Sequence, residues 1–178
     1  RAADQGDAEA QVELGQKYAY GKGVEEDQEK ATEWYKKAAD QGDVDAQSYL
    51  GFRYSNGEGV EEDKEKAAGL YLKAAEQGNA NAQFNLALMY GNGESVKENQ
   101  EKAAELYLKA AEQGIAEAQY NLALRYGDGK GVEENDEKAA ELYLKAAEQG
   151  YADAQYNLAL RYGNGKGVEE NDEKAVYW

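Results

Sequence analysis

The sequence predicts an all-α chain built from one repeated helix pair, and three observations support this prediction. Apolar residues inside the repeated segment recur three and four positions apart, as on one face of an α-helix. No stretch alternates apolar and polar residues over the length of a strand. The same glycine returns at a constant interval of 36 residues, at Gly6, Gly42, Gly78, Gly114 and Gly150.

Because the period covers the whole chain, we expect a single repeat array over 1–178 and no separate catalytic domain. The repeats are about 1–42, 43–78, 79–114, 115–150 and 151–178, and the last one is incomplete. In such an array each repeat is stabilised mainly by its neighbours. A leucine keeps the same period and is a candidate core position, at Leu14, Leu50, Leu86, Leu122 and Leu158.

The first helix of each repeat is predicted from the four-residue spacing of Ala10, Leu14 and Tyr18. In the first repeat it runs from roughly Ala8 to Ala19. A glycine-rich loop from Gly21 to Glu26 then leads to the second helix.

The second helix is predicted over about Asp27 to Gln41. The Asp27 side chain can accept a hydrogen bond from a free amide of the first helical turn, and Gly42 suits a left-handed C-cap. The helix is amphipathic, because its apolar residues share one face. These residues are Ala31, Trp34, Tyr35, Ala38 and Ala39.

The chain is strongly acidic, with 20 basic and 36 acidic residues and a formal net charge of -16. Long-range repulsion disfavours nucleic acids and anionic membranes as partners and favours a protein or peptide with a basic patch. No apolar run approaches the roughly 20 residues of a membrane span, and no cleavable leader is visible at Arg1. The sequence therefore predicts a soluble chain and leaves its compartment open.

Two ligand-binding interpretations of the glycine loops fail on their residues, so no cofactor or metal is predicted. Gly127 to Gly131 superficially resembles a phosphate-binding loop, but no strand precedes it and Glu133 and Glu134 follow it. A calcium loop beginning at Asp128 would have Lys130 at its third position, where an oxygen ligand is required. We interpret these loops as turns with a solvated acidic edge.

Catalysis is limited by the residues available, and we predict that the chain is not an enzyme. It contains no histidine and no cysteine. Activated nucleophiles need a base within reach of a hydroxyl or thiol. Ser48 stands where other repeats have Val12, Phe84, Tyr120 and Tyr156, which predicts a variable surface site. Apart from tyrosine, the hydroxyl groups are those of Thr32, Ser48, Ser55 and Ser95.

The repeat resembles two related families. Leu14-Gly15-x-x-Tyr18, followed by Ala31-x-x-x-Tyr35 and Ala38, is similar to the tetratricopeptide pattern, although the interval between Tyr18 and Ala31 is longer. The 36-residue period, the loop Gly21-x-Gly23-Val24 and the run from Lys36 to Gly42 resemble the Sel-one-like repeat (SLR) family. This resemblance covers all five repeats.

The resemblance implies a right-handed α/α solenoid of five 36-residue helix pairs with a groove for protein partners, used as a scaffold or adaptor. One branch of the family clamps each helix pair with paired cysteines, and this chain has none, so packing alone must hold its helices. The segment 119–139 matches 155–175 except for Asp128 against Asn164. Such regularity indicates either recent duplication or a designed, consensus-like sequence.

By the same resemblance, the first helices line the groove and their non-core positions meet a peptide. Asn85, Asn121 and Asn157 are similar to the asparagine that binds a peptide backbone in related repeats, and Tyr49 occupies the same column. The alternative is that the asparagines form a polar ladder between repeats. The neighbouring column contributes Phe84, Tyr120 and Tyr156, which stack either on a ligand or within the array.

Two alternative functions are an architectural role, as a segment of a longer array or of an end-to-end assembly, and a designed repeat protein without a natural ligand. Arg1 is equivalent to Lys37 and Trp178 to Trp34, so both ends interrupt a second helix. Val176, Tyr177 and Trp178 would then leave apolar surface uncovered. We therefore expect either further repeats or association through the ends.

Overall fold

The computed structural model describes residues 2–178, and over this range it contains ten α-helices, one short 3-10 helix at Ala3–Gln5 and no strand. Arg1, where the sequence predicts an interrupted helix, lies outside the described residues. The first helices are α1 Ala8–Tyr20, α3 Val44–Asn56, α5 Ala80–Asn92, α7 Ala116–Asp128 and α9 Ala152–Asn164. The second helices are α2 Gln28–Asp40, α4 Lys64–Glu76, α6 Gln100–Glu112, α8 Asp136–Glu148 and α10 Asp172–Tyr177. The all-α prediction is confirmed.

Both ends of α2 use the predicted capping residues. The backbone amide of Lys30 donates to Asp27 Oδ1 at 2.9 Å, which satisfies one of the free amides of the first turn. At the other end Gly42 has φ +89°, and its amide donates to the Ala39 carbonyl at 2.9 Å. The equivalent side-chain cap recurs at the start of the other second helices, from Asp63, Asn99, Asn135 and Asn171.

The helices form two compact units. The first contains residues up to Leu86 together with Glu94–Val96, and the second contains Ala87–Gly93 together with Lys97–Trp178. In the first unit α1 to α4 pack on one another in chain order. In the second unit α6 to α10 do the same. Neighbouring repeats within a unit are therefore joined by contact between the second helix of one and the first helix of the next.

Each compact unit has a core of small and aromatic side chains. In the first, a buried cluster combines Val12, Tyr35, Ala46 and Leu50 with alanines of α1 and α2. Gly15 belongs to this packing, because a Cβ atom there would lie 2.7 Å from Cε1 of the Tyr35 ring. The second unit contains an equivalent cluster, which includes Ala123, Ala139, Tyr143, Ala146, Ala147, Ala154 and Leu158.

The leucine column behaves largely as the period predicts. Leu50, Leu86, Leu122 and Leu158 are buried, and Leu14 in the first repeat is partly buried. Leu50 and Leu158 belong to the buried clusters and so anchor α3 and α9 to the helices beside them.

Candidate peptide-binding face

In the second compact unit, the side of α7 and α9 that carries Asn121 and Asn157 is called here the first-helix face. Tyr49 on α3 and Asn85 on α5 occupy the equivalent positions in the first unit. Tyr49 is exposed, and the three asparagines are half-buried. Tyr49 and Asn85 belong to the first compact unit, and Asn121 and Asn157 belong to the second. The predicted asparagine column is therefore accessible on α7 and α9, which are first helices of consecutive repeats.

Each asparagine is oriented by its own helix. The Nδ2 atoms of Asn85, Asn121 and Asn157 donate to the carbonyl four residues earlier, at 2.9, 2.7 and 2.8 Å. Among the described residues no protein donor reaches their Oδ1 atoms, and one N–H of each amide is left over. Each side chain thus keeps one donor and one acceptor for another molecule.

The polar ladder between repeats is formed by glutamines and not by these asparagines. Gln119 Nε2 donates to the Ala111 carbonyl of the preceding repeat at 3.1 Å, and Gln119 Oε1 accepts from Gln149 Nε2 at 2.8 Å. Gln11 makes the equivalent pair of bonds in the first repeat, with the Ala3 carbonyl and Gln41. The ladder interpretation of the asparagines is therefore wrong, because their amides bond within one helix.

The aromatic column of Phe84, Tyr120 and Tyr156 contains both a residue packed against another helix and an exposed residue. The Tyr120 ring centroid lies 5.8 Å from that of Tyr143 and 5.1 Å from that of Tyr151, so Tyr120 packs between α8 and the entry to α9. Phe84 is half-buried. Tyr156 differs, with 65% of its surface exposed.

Ser48 lies in this same column, and the prediction that it is a surface site is wrong. Both Ser48 and Val12 are buried. The column therefore has no single environment, since Ser48 and Val12 are buried, Tyr120 packs on two other rings and Tyr156 is exposed.

Tyr49 lines a cleft between α1 and α3. Its ring centroid lies 5.2 Å from that of the buried Tyr35, and Gln16 Nε2 donates to Tyr49 Oη at 3.2 Å. The cleft has a volume of about 310 Å³. Its remaining lining residues are Ala19, Tyr20, Gln28, Phe52, Arg53 and Glu58.

Three buried arginines of the first helices join consecutive repeats, and sequence analysis did not single them out. Each places its guanidinium over a tyrosine ring in the second helix of the preceding repeat. The distances from Cζ to the ring centroid are 5.4 Å for Arg53 over Tyr35, 5.1 Å for Arg125 over Tyr107 and 5.2 Å for Arg161 over Tyr143. Their positions in the sequence could have identified them, because they occupy the same position in the second, fourth and fifth repeats of the 36-residue period.

The same guanidinium groups hold the start of the preceding second helix. Arg53 Nη1 donates to Gln28 Oε1 at 2.6 Å, and Arg125 Nη1 donates to Gln100 Oε1 at 2.7 Å. Arg161 Nη1 contacts Asp136 Oδ1 at 3.0 Å. Each also lies near a carbonyl in the loop of its own repeat, those of Glu58, Lys130 and Lys166. We call this arrangement the arginine clamp.

The tyrosines beneath the clamp are packing residues. Burial raises the pKa of Tyr35 to about 12, while the charge of Arg53 acts in the opposite direction. Burial also raises the pKa of Tyr143 to about 12, against the effect of Arg161. Both phenols stay neutral at physiological pH, so neither supplies a base or a nucleophilic phenolate.

A scan against protein families matches the Sel1 repeat at 8–43, 44–79, 80–115, 116–151 and 152–178. These five matches leave only the first residues of the chain uncovered. The chain belongs to the Sel1 repeat family. The predicted resemblance and the all-α solenoid class are thereby confirmed. A search of curated proteins gave no match.

Solved structures of Sel1 repeat proteins share this fold. A protective antigen of uropathogenic Escherichia coli with an SLR fold is 39% identical, with a TM-score of 0.91, over 98% of this chain and 39% of that one. A Sel1 repeat protein of Oxalobacter formigenes is 36% identical, with a TM-score of 0.90, over 98% and 69% of the two chains. A Sel1 repeat protein of Klebsiella pneumoniae is 30% identical, with a TM-score of 0.63, over 100% and 86%. The present chain thus spans well under half of the E. coli antigen.

Sel1 repeat proteins generally mediate protein–protein interactions, and their repeats are generally not catalytic. Among the described residues no group of three or more His, Cys, Asp or Glu side chains is arranged to hold a metal ion. Over 2–178 no helix combines the length and the apolar character needed to cross a membrane. The chemistry that the first-helix face offers is amide hydrogen bonding and aromatic contact.

Proposed function

We propose that this Sel1 repeat array is a non-enzymatic scaffold or adaptor that binds an extended protein segment along its first-helix face. The observation that carries the proposal is the pair of amides at Asn121 and Asn157. They occupy the same position in consecutive repeats, and each keeps one free donor and one free acceptor. A peptide group also offers one donor and one acceptor, so an asparagine amide can bind it through both.

The first compact unit supports the same proposal with different residues. Asn85 and Tyr49 occupy the positions equivalent to Asn121 and Asn157 in this unit. Half-buried Phe84 precedes Asn85 directly in this unit, and in the second unit the exposed Tyr156 precedes Asn157 in the same way. Tyrosine is enriched among the residues that dominate binding energies, because it combines a large apolar ring with a hydrogen-bonding hydroxyl.

Charge defines the partner further. With a net charge of -16, the array attracts a segment that carries a basic patch and repels acidic chains. Carboxylates lie one turn before the asparagines, at Glu117 and Asp153, and both are exposed. A partner whose backbone meets Asn121 and Asn157 would thus place its basic side chains near these carboxylates.

Selection from a random peptide library on the immobilised protein, followed by calorimetry, tests this function. We expect the double variant N121A/N157A to bind the selected peptides about thirtyfold more weakly, since the loss of two amide contacts, at about 1 kcal/mol each, weakens binding by about 2 kcal/mol. Glu141→Ala, an exposed change in the second helix α8, serves as the matched control and should leave the affinity unchanged. Equal affinity of the double variant and the control, with both fully folded, would refute the proposed face.

A second candidate is architectural self-association, which the apolar surface of the last repeat favours. Tyr156, Leu160, Val176 and Tyr177 are 65%, 45%, 88% and 77% exposed. Surfaces of this kind on one copy can be covered by another. Light scattering over a concentration series should then show a mass that rises with concentration and falls in L160S/V176S. A constant monomer mass across the series would remove this candidate.

A further inference from the structure

The cleft between α1 and α3 is lined by three aromatic residues whose equivalent positions in the other repeats are not aromatic. Tyr20, Tyr49 and Phe52 are 67%, 37% and 46% exposed. The position of Tyr20 is held by asparagine or aspartate in the other repeats, and that of Phe52 by leucine in the last three. Three partly exposed rings thus line one cleft, and contiguous exposed apolar surface is a feature of binding sites.

Neighbouring side chains fix the positions of residues that line this aromatic cleft. Tyr49 is fixed by its contact with Tyr35 and by the hydrogen bond from Gln16. Arg53 forms the floor, and its side chain is only 7% exposed. Its charge is offset by Glu58, whose Oε2 lies 3.8 Å from Arg53 Nη1. A ligand entering the cleft therefore meets aromatic rings and a carboxylate at the rim, since the buried guanidinium is already partnered.

Two independent observations indicate a cationic occupant. The faces of aromatic rings carry partial negative charge and attract cations. Tyr20 shows this within the chain, because Lys22 Nζ lies 5.3 Å from its ring centroid. The whole protein adds a long-range attraction through its net charge of -16. An apolar occupant would use the rings but gain nothing from this field.

The dimensions favour one large side chain. The cleft volume of about 310 Å³ lies at the lower end of the range for ligand pockets. Guanidinium is planar, stacks on rings and donates several hydrogen bonds at once, whereas an ammonium is a compact and strongly hydrated charge. Acceptors stand at the rim, in the hydroxyls of Tyr20 and Tyr49 and the carboxylate of Glu58, which is 43% exposed.

We propose that the aromatic cleft of Tyr20, Tyr49 and Phe52 binds an arginine side chain of the partner segment. The guanidinium stacks on the exposed rings, displaces Lys22 from Tyr20 and shares the carboxylate of Glu58 with Arg53. This inference rests on the proposed function and names the side chain that the first two repeats select. The remaining repeats, which have asparagine and leucine at these positions, supply contacts to the backbone of other segments.

The test uses a short glycine–serine peptide with one central arginine, and its analogues with citrulline or phenylalanine at that position. Citrulline keeps the shape of arginine and removes the charge. Binding to the whole protein is followed by NMR titration. We expect the arginine peptide to bind at least about tenfold more tightly than the citrulline peptide, which corresponds to about 1.4 kcal/mol. Shifts should concentrate on α1 and α3.

The informative variant is Y20N/Y49N/F52L, which gives the cleft the residues of the later repeats and is therefore compatible with folding. It should lose the preference for arginine over citrulline, whereas Leu160→Ala, at the position equivalent to Phe52, should keep it. Equal binding of the arginine and citrulline peptides, tighter binding of the phenylalanine peptide, or an unchanged preference in the triple variant would each overturn the inference. The proposed function fails separately, if library-selected peptides ignore N121A/N157A.

Discussion

The guanidinium of Arg125 lies 5.1 Å above the ring of Tyr107, and this contact joins α7 to the second helix of the preceding repeat. Arg125 Nη1 also donates to Gln100 Oε1 at 2.7 Å and to the Lys130 carbonyl at 3.3 Å. One buried side chain thus holds a ring, a helix start and a loop. In the third repeat the equivalent position is occupied by Met89.

Replacing Arg125 by methionine should destabilise the array. The substitution keeps an apolar chain over Tyr107 but leaves Gln100 and the loop carbonyl without their donor, which costs about 2–3 kcal/mol. Urea unfolding measures the change, and Lys109→Met, a change of an exposed cation, is the control. If both variants unfolded at the same urea concentration, the arginine clamp would contribute nothing.

Ser95 should gain stability on replacement by glycine. Its φ of +59° lies in the left-handed region, where the equivalent loop positions have Gly59, Gly131 and Gly167. Relief of this strain is worth about 1 kcal/mol. The reverse change, Gly131→Ser, should destabilise strongly, because a Cβ atom there would overlap the Gln100 carbonyl. Thermal unfolding of both variants tests the pair, and a lower melting temperature for S95G would contradict this account.

Leu122 and Asn121 are adjacent in sequence but should respond differently to alanine. Leu122 is buried, so its truncation should cost about 2–5 kcal/mol. The Asn121 side chain bonds only to its own helix, and its loss should change the free energy of unfolding by less than about 0.5 kcal/mol. Chemical denaturation separates the two. A large loss for Asn121→Ala would assign the asparagine a structural role in place of a binding role.

Acid should weaken the first two repeats through their helix caps. The hydrogen bond from the Lys30 side chain lowers the pKa of Asp27 below its ordinary value of 3.8, and the Lys66 backbone amide does the same for Asp63. A carboxyl with a lowered folded-state pKa stabilises the fold above its unfolded value and loses this contribution as the pH falls through the folded value.

The variant D27N/D63N should therefore lose less stability than the parent protein between about pH 5 and about pH 2, a range that includes the ordinary aspartate pKa of 3.8. Asparagine already caps the last three second helices and does not titrate. Conversely, Asn99→Asp should add acid sensitivity. Identical acid dependence in all three proteins would show that these caps do not contribute.

Salt should slow association with a basic partner. The net charge of -16 steers cationic segments towards the array, and at about 0.15 M ionic strength the screening length is roughly 8 Å. Stopped-flow measurements should give association rates that fall steeply with added salt, with a smaller effect on dissociation. An association rate that is constant from low to physiological ionic strength would argue against steering.

The helices, their caps and the leucine column could be predicted because each depends on local sequence and repeats five times. The repeat pattern predicted that Leu122 is buried and that Gly42 forms a left-handed C-cap, and both are found in the structure. Other features, such as the arginine clamp, depend on residues that are distant in sequence and adjacent in the fold. Charged residues are usually exposed, so the burial of Arg125 becomes understandable only once Tyr107 and Gln100 lie beneath it.

The burial of Ser48 and the aromatic cleft were missed for a related reason. A column that mixes serine, valine and tyrosine has no single polarity, and its environment is set by the helix packed against it. Tyr20 and Phe52 come from different repeats, and only the adjacency of α1 and α3 brings them together with Tyr49. Each asparagine directly precedes a buried leucine and is half-buried, and its role in binding a peptide stays a prediction.

The most direct test of the proposed function follows the side-chain amides themselves. In an NMR titration with a library-selected peptide, the Nδ2 resonances of Asn121 and Asn157 report contact with the ligand without any substitution. We expect both to shift in a saturable manner, together with backbone amides of α7 and α9. Saturable binding that leaves both side-chain signals unmoved, with shifts confined to the second helices and loops, would contradict the proposed function.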